Sequence, residues 1–407
     1  MKRIYIFNEK SRAAVYGIGT YIRQVVRCLR DSPDITLNVV ILNSKYKEFT
    51  IAKMEGYTCF HIPNCDIPNI TPERYFRNIW FLFMTNVHLS PEDDLVFHLN
   101  YTDTYPLVGL MRRYYPYCKI IFTIHYQNWC FHLNGNVSFL KQIISERESL
   151  VVGSEKKNIL DGFDKEIRLY QSVDRVICLS EFTKSLLHEV YQIPDKKISL
   201  VYNGIQDEYV RLAIDEKDKL KQQFFLSEKD KIILFVGRLD EIKGLPVLVE
   251  AFKRVVDIYQ NCHLVVVGAG DVLRYLEQCA PYWNKITFTG FLGKENLHKF
   301  YQVADFGIML SMHEQCSYVA MEMMMFGIPV INTDTTGLNE MFPPDKMKLK
   351  IHYQGYKVAI SVKECSEAIL HALDKAKSIQ PDNRNLYLKK YTLEQMSIKL
   401  LSLYKSL

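Results

Sequence analysis

Two carboxylates eight residues apart, Glu314 and Glu322, lie in the stretch Ser311-Met312-His313-Glu314-Gln315-Cys316-Ser317-Tyr318-Val319-Ala320-Met321-Glu322. Apolar Phe306 to Leu310 precedes it and Met323 to Phe326 follows, so the simplest reading is strand, turn, helix. Eight residues advance a helix by about 800°, which points Glu322 inward from the helix wall. Glu314 then stays on the loop at the strand's carboxyl end, where open α/β sheets hold ligands. The first-turn amides of Ser317, Tyr318 and Val319 suit a phosphate. Without such a ligand the two acids would simply be a solvated helix face.

A second constellation, Gly237-Arg238-Leu239-Asp240-Glu241-Ile242-Lys243-Gly244, follows the apolar run Lys231 to Val236 and sets two cations around one turn. A diphosphate needs both its charges neutralised, and an Arg fork with a Lys point charge does that. Two surface cations are the alternative. In the first half of the chain, strand Arg3 to Phe7 runs into Tyr16-Gly17-Ile18-Gly19-Thr20-Tyr21. A glycine turn at a helix start lets amides approach a phosphate or sugar, although a tight turn explains Gly17 equally well. His125 closes the strand Lys119 to Ile124, and Asn100 and Asp103 follow the strand Leu95 to Leu99. A lone histidine there reads as a structural ring or as a ligand contact.

The elements that must carry these residues alternate. Strands are expected at Leu37 to Leu42, Thr58 to Ile62, Leu95 to Leu99, Lys119 to Ile124, Asp174 to Ser180 and Ile198 to Tyr202, with helices between them. A second series runs through His263 to Val267, Ile286 to Thr289, Phe306 to Leu310, Ile328 to Asn332 and Val358 to Ile360. Alternating β and α elements imply parallel sheets with crossover helices, hence an α/β fold. The charged run Asp215 to Asp230 separates the series, which places a boundary near residue 206. A domain of residues 1–205, joined by a closing helix at about 388–407, and a domain of residues 206–387 are expected. Polar residues 131–172 read as a solvated helical pair or as a lid.

The spacing Glu-x7-Glu with Gly327-Ile328-Pro329-Val330-Ile331 behind it resembles the retaining glycosyltransferases of family 4, the group 1 type with GT-B fold. Gly237-Arg238-Leu239 with Lys243-Gly244 is similar to that family's G-R-L-x-x-x-K-G motif, and Thr335-Thr336-Gly337-Leu338-Asn339-Glu340 to its Gly-rich turn. The sequence has Gln315-Cys316-Ser317 where the family often has Gly-Phe-Gly. The resemblance implies two Rossmann-like domains with parallel sheets facing a central cleft. It further implies a UDP- or GDP-sugar donor held by Arg238, Lys243 and the amides of Tyr318 and Val319. Glu314 would contact the transferred sugar, Glu322 the ribose diol, and main chain near Leu292 the nucleobase. Gly17 would face the diphosphate, and His125 the sugar near the reaction centre. Asn100 and Asp103 are placed toward the acceptor by topology alone.

Composition narrows the alternatives. At 407 residues, 48% apolar and 24% charged, the chain is long enough for two full cores. A net charge of +5 is too small to argue for nucleic acid. Ten cysteines without a C-x2-C pairing read as free thiols of a reducing compartment. No apolar run approaches a membrane span, so a cytoplasmic protein is expected. The chain contains no Asp-x-Asp, so no metal and no further cofactor is expected, and the cations take the diphosphate. The expected function is therefore transfer of a sugar from a nucleoside diphosphate to an unidentified acceptor: a glycan, lipid-linked sugar, peptide or small molecule. A sugar-nucleotide epimerase or a catalytically silent binding subunit are the alternatives on this fold. The run Arg74-Tyr75-Phe76-Arg77-Asn78-Ile79-Trp80-Phe81 with Arg112-Arg113-Tyr114-Tyr115 reads as a core helix, or as a basic aromatic face for peripheral membrane contact.

Overall fold

The structure, a computed structural model, describes residues 1–9, 17–64, 69–90, 92–342, 347–375 and 383–407. The chain divides into two compact units. The first holds residues 1–128, 147–204 and 393–407, and the second residues 129–146 and 205–392. The stretch 129–146, read from the sequence as part of the first half, thus belongs with the second, and the return to the first unit comes at residue 393.

The first unit is built on strands β1 (Lys2–Glu9), β2 (Ile35–Ser44), β3 (Thr50–Met54), β4 (Tyr57–Pro63), β5 (Leu95–Leu99), β6 (Lys119–Thr123), β7 (Arg175–Cys178) and β8 (Ile198–Leu200). Their order across the sheet is β3-β4-β2-β1-β5-β6-β7-β8. All neighbours run parallel except the edge hairpin β3–β4. Ile4, Tyr5, Ile6 and Phe7 of central β1 are all buried, as a strand covered on both faces requires. The strand β3 is short and largely exposed, with Ile51 and Met54 themselves exposed, and no regular apolar alternation announces it.

Helix Pro72–Asn86 starts on a Thr71 cap and buries Phe76, Ile79, Trp80 and Phe83, so this run is a core helix. Phe81 is 65% exposed on its outer side. Helix Glu155–Ser172 buries Ile159, Leu160, Phe163, Leu169 and Tyr170, so it is an amphipathic core element and not a solvated one. Helix Leu393–Lys405 places Met396, Leu400 and Leu403 inward, and the Lys2 ammonium donates to the Tyr404 carbonyl at 2.9 Å. No described helix is long and apolar enough to cross a membrane.

The second unit's sheet joins β9 (Lys231–Val236), β10 (Cys262–Val267), β11 (Ile286–Gly290), β12 (Phe306–Met309), β13 (Val330–Thr333) and β14 (Lys348–Leu349) in the order β11-β10-β9-β12-β13-β14, all parallel. Val358 to Ile360, expected as a strand of this series, belongs instead to a separate antiparallel hairpin of β15 (Ile351–Gln354) and β16 (Lys357–Ile360). Its turn holds Gly355 in the left-handed region at φ 60°, and its strands are mostly exposed, which suits a hairpin and not a buried parallel strand. Among the described residues the nine cysteines are buried and none forms a disulfide with another; Cys65 lies outside the described residues.

Candidate active site

Two glycine-bounded turns bring the first chemistry together. The chain leaves β9 at Gly237, and the Gly237 amide donates to Val267 O at 3.0 Å, with Leu239 N to Ala269 O at 3.1 Å. The turn then closes over Glu241–Lys243, where the Asp240 side chain accepts from Lys243 N at 3.2 Å. Gly244 follows at φ 70° and begins helix Leu245–Val256. A Cβ on Gly244 would lie 2.3 Å from Leu310 O, so only glycine lets this turn rest against the end of β12. Ile242 O accepts from Met312 N at 2.8 Å and ties the two loops together.

That contact delivers Lys243 to Glu314. The ammonium donates to Glu314 Oε1, which also accepts from Ser311 Oγ at 2.9 Å. The backbone of Glu314 is held from the other side: its amide donates to Thr336 Oγ1 at 2.9 Å, and its carbonyl accepts from Thr336 Oγ1 at 2.7 Å and from Gly337 N at 2.9 Å. Thr336 has φ 26°, a strained value for a β-branched residue, and sits in the loop that fixes Glu314. Burial pushes the Glu314 carboxyl up, but Lys243 and Ser311 outweigh it and hold the group below the ordinary carboxylate range. Glu314 is therefore an anion near neutrality whose charge Lys243 compensates. Arg238 pairs at 3.1 Å with Asp240, both about a third exposed.

The helix Tyr318–Met325 starts on Ser317, whose Oγ accepts from Ala320 N at 3.4 Å, so the amides of Tyr318 and Val319 head the helix. None of Gln315, Cys316 and Ser317 has a left-handed φ, so the turn needs no glycine there. About one turn on, Glu322 Oε2 accepts from the buried Tyr301 hydroxyl at 2.7 Å. Burial raises the Glu322 carboxyl above its ordinary value, against the lowering effect of Tyr301. Leu292 is partly exposed beyond β11, whose Gly290 O accepts from Gly268 N at 3.0 Å. The strand order thus brings Leu292, Arg238, Lys243, Glu314 and the start of the 318–325 helix to one carboxyl edge.

His313 is a residue the sequence did not single out. It is buried, neither ring nitrogen has a hydrogen-bond partner among the described residues, and burial brings its pKa down to about 4. A Cβ on Gly135 would sit 3.3 Å from His313 Nδ1, so the 129–146 stretch backs the Glu314 loop. Asn136 Nδ2 anchors that stretch to Gly355 O at 2.8 Å. Ser311, Tyr301 and Thr336 also went unassigned, because hydroxyl residues carry no pattern in sequence.

In the first unit the strand ends gather the other expected residues. Asn100, buried after β5, donates from Nδ2 to Phe7 O at 3.1 Å, which turns its Oδ1 to His125 Nε2 at 3.0 Å. An acceptor at that position assigns the proton to Nε2 and leaves Nδ1 as the ring's lone-pair nitrogen. Burial and neighbouring His98 lower the His125 pKa to about 3, so the ring is neutral. Tyr21 meets it edge-on, with centroids 4.6 Å apart, and reaches Thr123 Oγ1 at 3.0 Å. Asn100 is therefore positioned to orient His125. Asp103 stands exposed on the short turn Thr102–Thr104. Gly17 is the exposed first residue of helix Gly17–Leu29; residues 10–16, with Tyr16 of the expected glycine turn, lie outside the described residues.

Residues 216–391 match the family model described as glycosyl transferases group 1, and residues 15–209 that of glycosyltransferase family 4. An uncharacterized glycosyltransferase of Methanocaldococcus jannaschii is 33% identical over 172 residues, 41% of this chain and 44% of that one. The match spans about half the length of the curated relatives. Among solved structures, sucrose-phosphate synthase from Thermosynechococcus elongatus superposes with a TM-score of 0.74 at 19% identity, covering 100% of this chain and 99% of that one. Anabaena HepE in complex with UDP and glucose superposes with a TM-score of 0.71 at 14% identity, covering 100% of both chains.

Proposed function

This chain belongs to the group 1 glycosyltransferases of GT-B fold, and from that premise we propose that it transfers a sugar from a UDP- or GDP-sugar to an acceptor hydroxyl. The observation that carries the proposal is the constellation at one sheet edge of the second unit: Arg238, the Lys243–Glu314 pair and the head of the 318–325 helix. It offers two cations and backbone amides to a diphosphate and a carboxylate to a sugar. HepE, a fold neighbour, binds UDP and glucose, which supports a nucleoside diphosphate sugar as donor.

In the proposed reaction the bond from the sugar's anomeric carbon to the diphosphate oxygen breaks, and that oxygen leaves with the electron pair. Arg238, Lys243 and the amides of Tyr318 and Val319 stabilise the charge it gains, and we assign no metal to that role. The acceptor oxygen bonds to the anomeric carbon on the leaving-group face, so configuration is retained, and its proton passes to the leaving phosphate oxygen. Glu314 holds the sugar, Glu322 the ribose diol, and main chain near Leu292 the base. The neutral ring of His125, aimed by Asn100, is assigned to the transferred sugar from the family resemblance, and Gly17 to the diphosphate on the same ground. Asp103 is left to the acceptor.

The test is incubation with a panel of sugar nucleotides and acceptors, following UDP or GDP release and the anomer of the product by NMR. Release coupled to a product of retained configuration is expected. Inverted product overturns retention, epimerised sugar nucleotide without release overturns transfer, and no turnover with tight donor binding identifies a silent binding subunit.

A further inference from the structure

The starts of three neighbouring strands of the first unit, β6, β7 and β8, carry cations around a cavity of about 280 Å³. Lys119 begins β6, Arg175 begins β7, and Lys196 and Lys197 immediately precede β8. Arg112 joins them from helix Tyr105–Tyr114. Asp174 is the one side-chain carboxylate in the lining, and it is already engaged: its Oδ2 accepts from Arg112 at 2.5 Å and from Ile120 N at 2.7 Å. Lys197 donates to Gln171 O and Val173 O, so its position is fixed, and among the described residues it has no direct ion pair, only the more distant charge of Asp174. Among the described residues, neither Lys119 nor Lys196 has a hydrogen-bond or ion-pair partner, and Arg175 has only the Asp174 carbonyl at 3.2 Å.

We propose that this cavity is a binding site for a phosphate-type dianion, free or as a lipid headgroup, separate from the donor residues of the second unit. Like charges crowded at strand ends repel one another unless an anion joins them, and burial, helped by Arg112 and Lys196 against the opposing charge of Asp174, lowers the Lys197 pKa. Two ammonium groups and a guanidinium fork converging on one cavity match a tetrahedral anion with several acceptor oxygens. Arg113 and Tyr114 (52% exposed) end the helix that carries Arg112, and Tyr117 (85% exposed) stands on the turn from it into β6, so exposed aromatic and basic side chains lie close in sequence to the cavity residues Arg112 and Lys119, as suits a headgroup at a membrane surface.

The experiment compares the full chain with a Lys119→Gln/Lys196→Gln double variant, both carrying Arg238→Ala and Lys243→Ala so that the two donor-site cations do not contribute. Inorganic phosphate is titrated calorimetrically at constant ionic strength. In parallel, vesicles of phosphatidylcholine with and without phosphatidic acid are sedimented with each protein. The double variant should bind at least about tenfold more weakly than its parent, with an unchanged melting temperature, since Lys119 and Lys196 lie at the surface. Tighter capture by phosphatidic acid vesicles than by free phosphate names the headgroup as the source, and phosphate binding without vesicle capture names a soluble anion. Equal affinity of parent and variant for both probes overturns the site and leaves the cations merely solvated.

Discussion

Lys243 and Glu314, 71 residues apart, form an ion pair at the carboxyl edge of the second unit's sheet. Arg238 is paired in turn with Asp240. Both cations expected to hold a diphosphate thus already face carboxylates, so donor binding must redistribute existing charge pairs. A diphosphate bound as proposed would replace part of the charge that Glu314 and Asp240 supply, which would favour dianionic donors over neutral sugars.

Replacing either cation removes a charge-assisted bond of about 1.5–3 kcal/mol. Arg238→Ala and Lys243→Ala should each lose roughly tenfold to 150-fold in kcat/KM with a sugar nucleotide. Lys243→Ala has a second signature. Glu314 would keep its burial but lose the cation that depresses its pKa, so the carboxyl should titrate at higher pH than in the wild type. The acid limb of the pH-rate profile should then move up in Lys243→Ala and stay in place in Arg238→Ala. Wild-type kinetics in either variant would sink the assignment.

Glu322 makes a different demand. Its Oε2 accepts from Tyr301, which leaves Oε1 to a ribose hydroxyl. Glu322→Gln should raise KM for the sugar nucleotide about tenfold or more, and Tyr301→Phe by a smaller factor, because the carboxylate loses its orientation but not its charge. A surface helix acid would instead be replaced within about ±0.5 kcal/mol of stability and with no kinetic effect. An unchanged KM in Glu322→Gln returns the residue to that class.

The turns carrying Arg238 and Lys243, and the spacing of Glu314 and Glu322, were legible because each motif is local to one strand end and one helix start. Their pairing was not. Nothing in the sequence joins Lys243 to Glu314, or Thr336 to the Glu314 backbone, since those contacts follow from which strands lie side by side. Asn100 was read by topology as facing the acceptor, whereas its amide is held between Phe7 O and His125. Periodicity showed apolar faces but not their partners. The charged stretch 131–172 therefore read as a solvated helical pair or as a lid, while it contains a core helix and a segment that packs under His313.

That core helix holds Glu166, fully buried, accepting from Asn128 N at 2.7 Å and from the Tyr191 hydroxyl at 2.5 Å. Burial raises its pKa to about 7, against the lowering effect of these two donors. A carboxyl whose folded pKa lies above its unfolded value binds more protons when folded, so its contribution to stability falls as pH rises from about 4.5 to 7. The whole interval corresponds to roughly 3 kcal/mol. Glu166→Gln keeps an amide in place of the protonated acid and should flatten this part of the stability curve, raising stability at pH 8 relative to the wild type. Urea unfolding between pH 4.5 and 8 measures it, and parallel curves for the two proteins would show that Glu166 does not titrate in this range.

Two glycines separate the demands of the fold from those of a ligand. A Cβ on Gly337 would lie 1.9 Å from Gln315 O and 2.8 Å from Glu314 O, and the Gly337 amide is one of the donors that hold Glu314. Gly337→Ala must push this loop away, so it should lower stability by about 1–3 kcal/mol and damage donor binding together. At Gly17 no atom of the described residues beyond its chain neighbours and its own helix backbone lies within 4 Å of the added carbon, and the residue opens a helix. Gly17→Ala should therefore leave the melting temperature equal or slightly higher, since alanine favours the helix by up to about 1 kcal/mol. If the backbone at Gly17 is approached closely by the diphosphate, kcat/KM should still fall. Full activity at unchanged or raised stability would show that Gly17 serves only the turn, and the diphosphate would then be left to Arg238, Lys243 and the 318–325 helix.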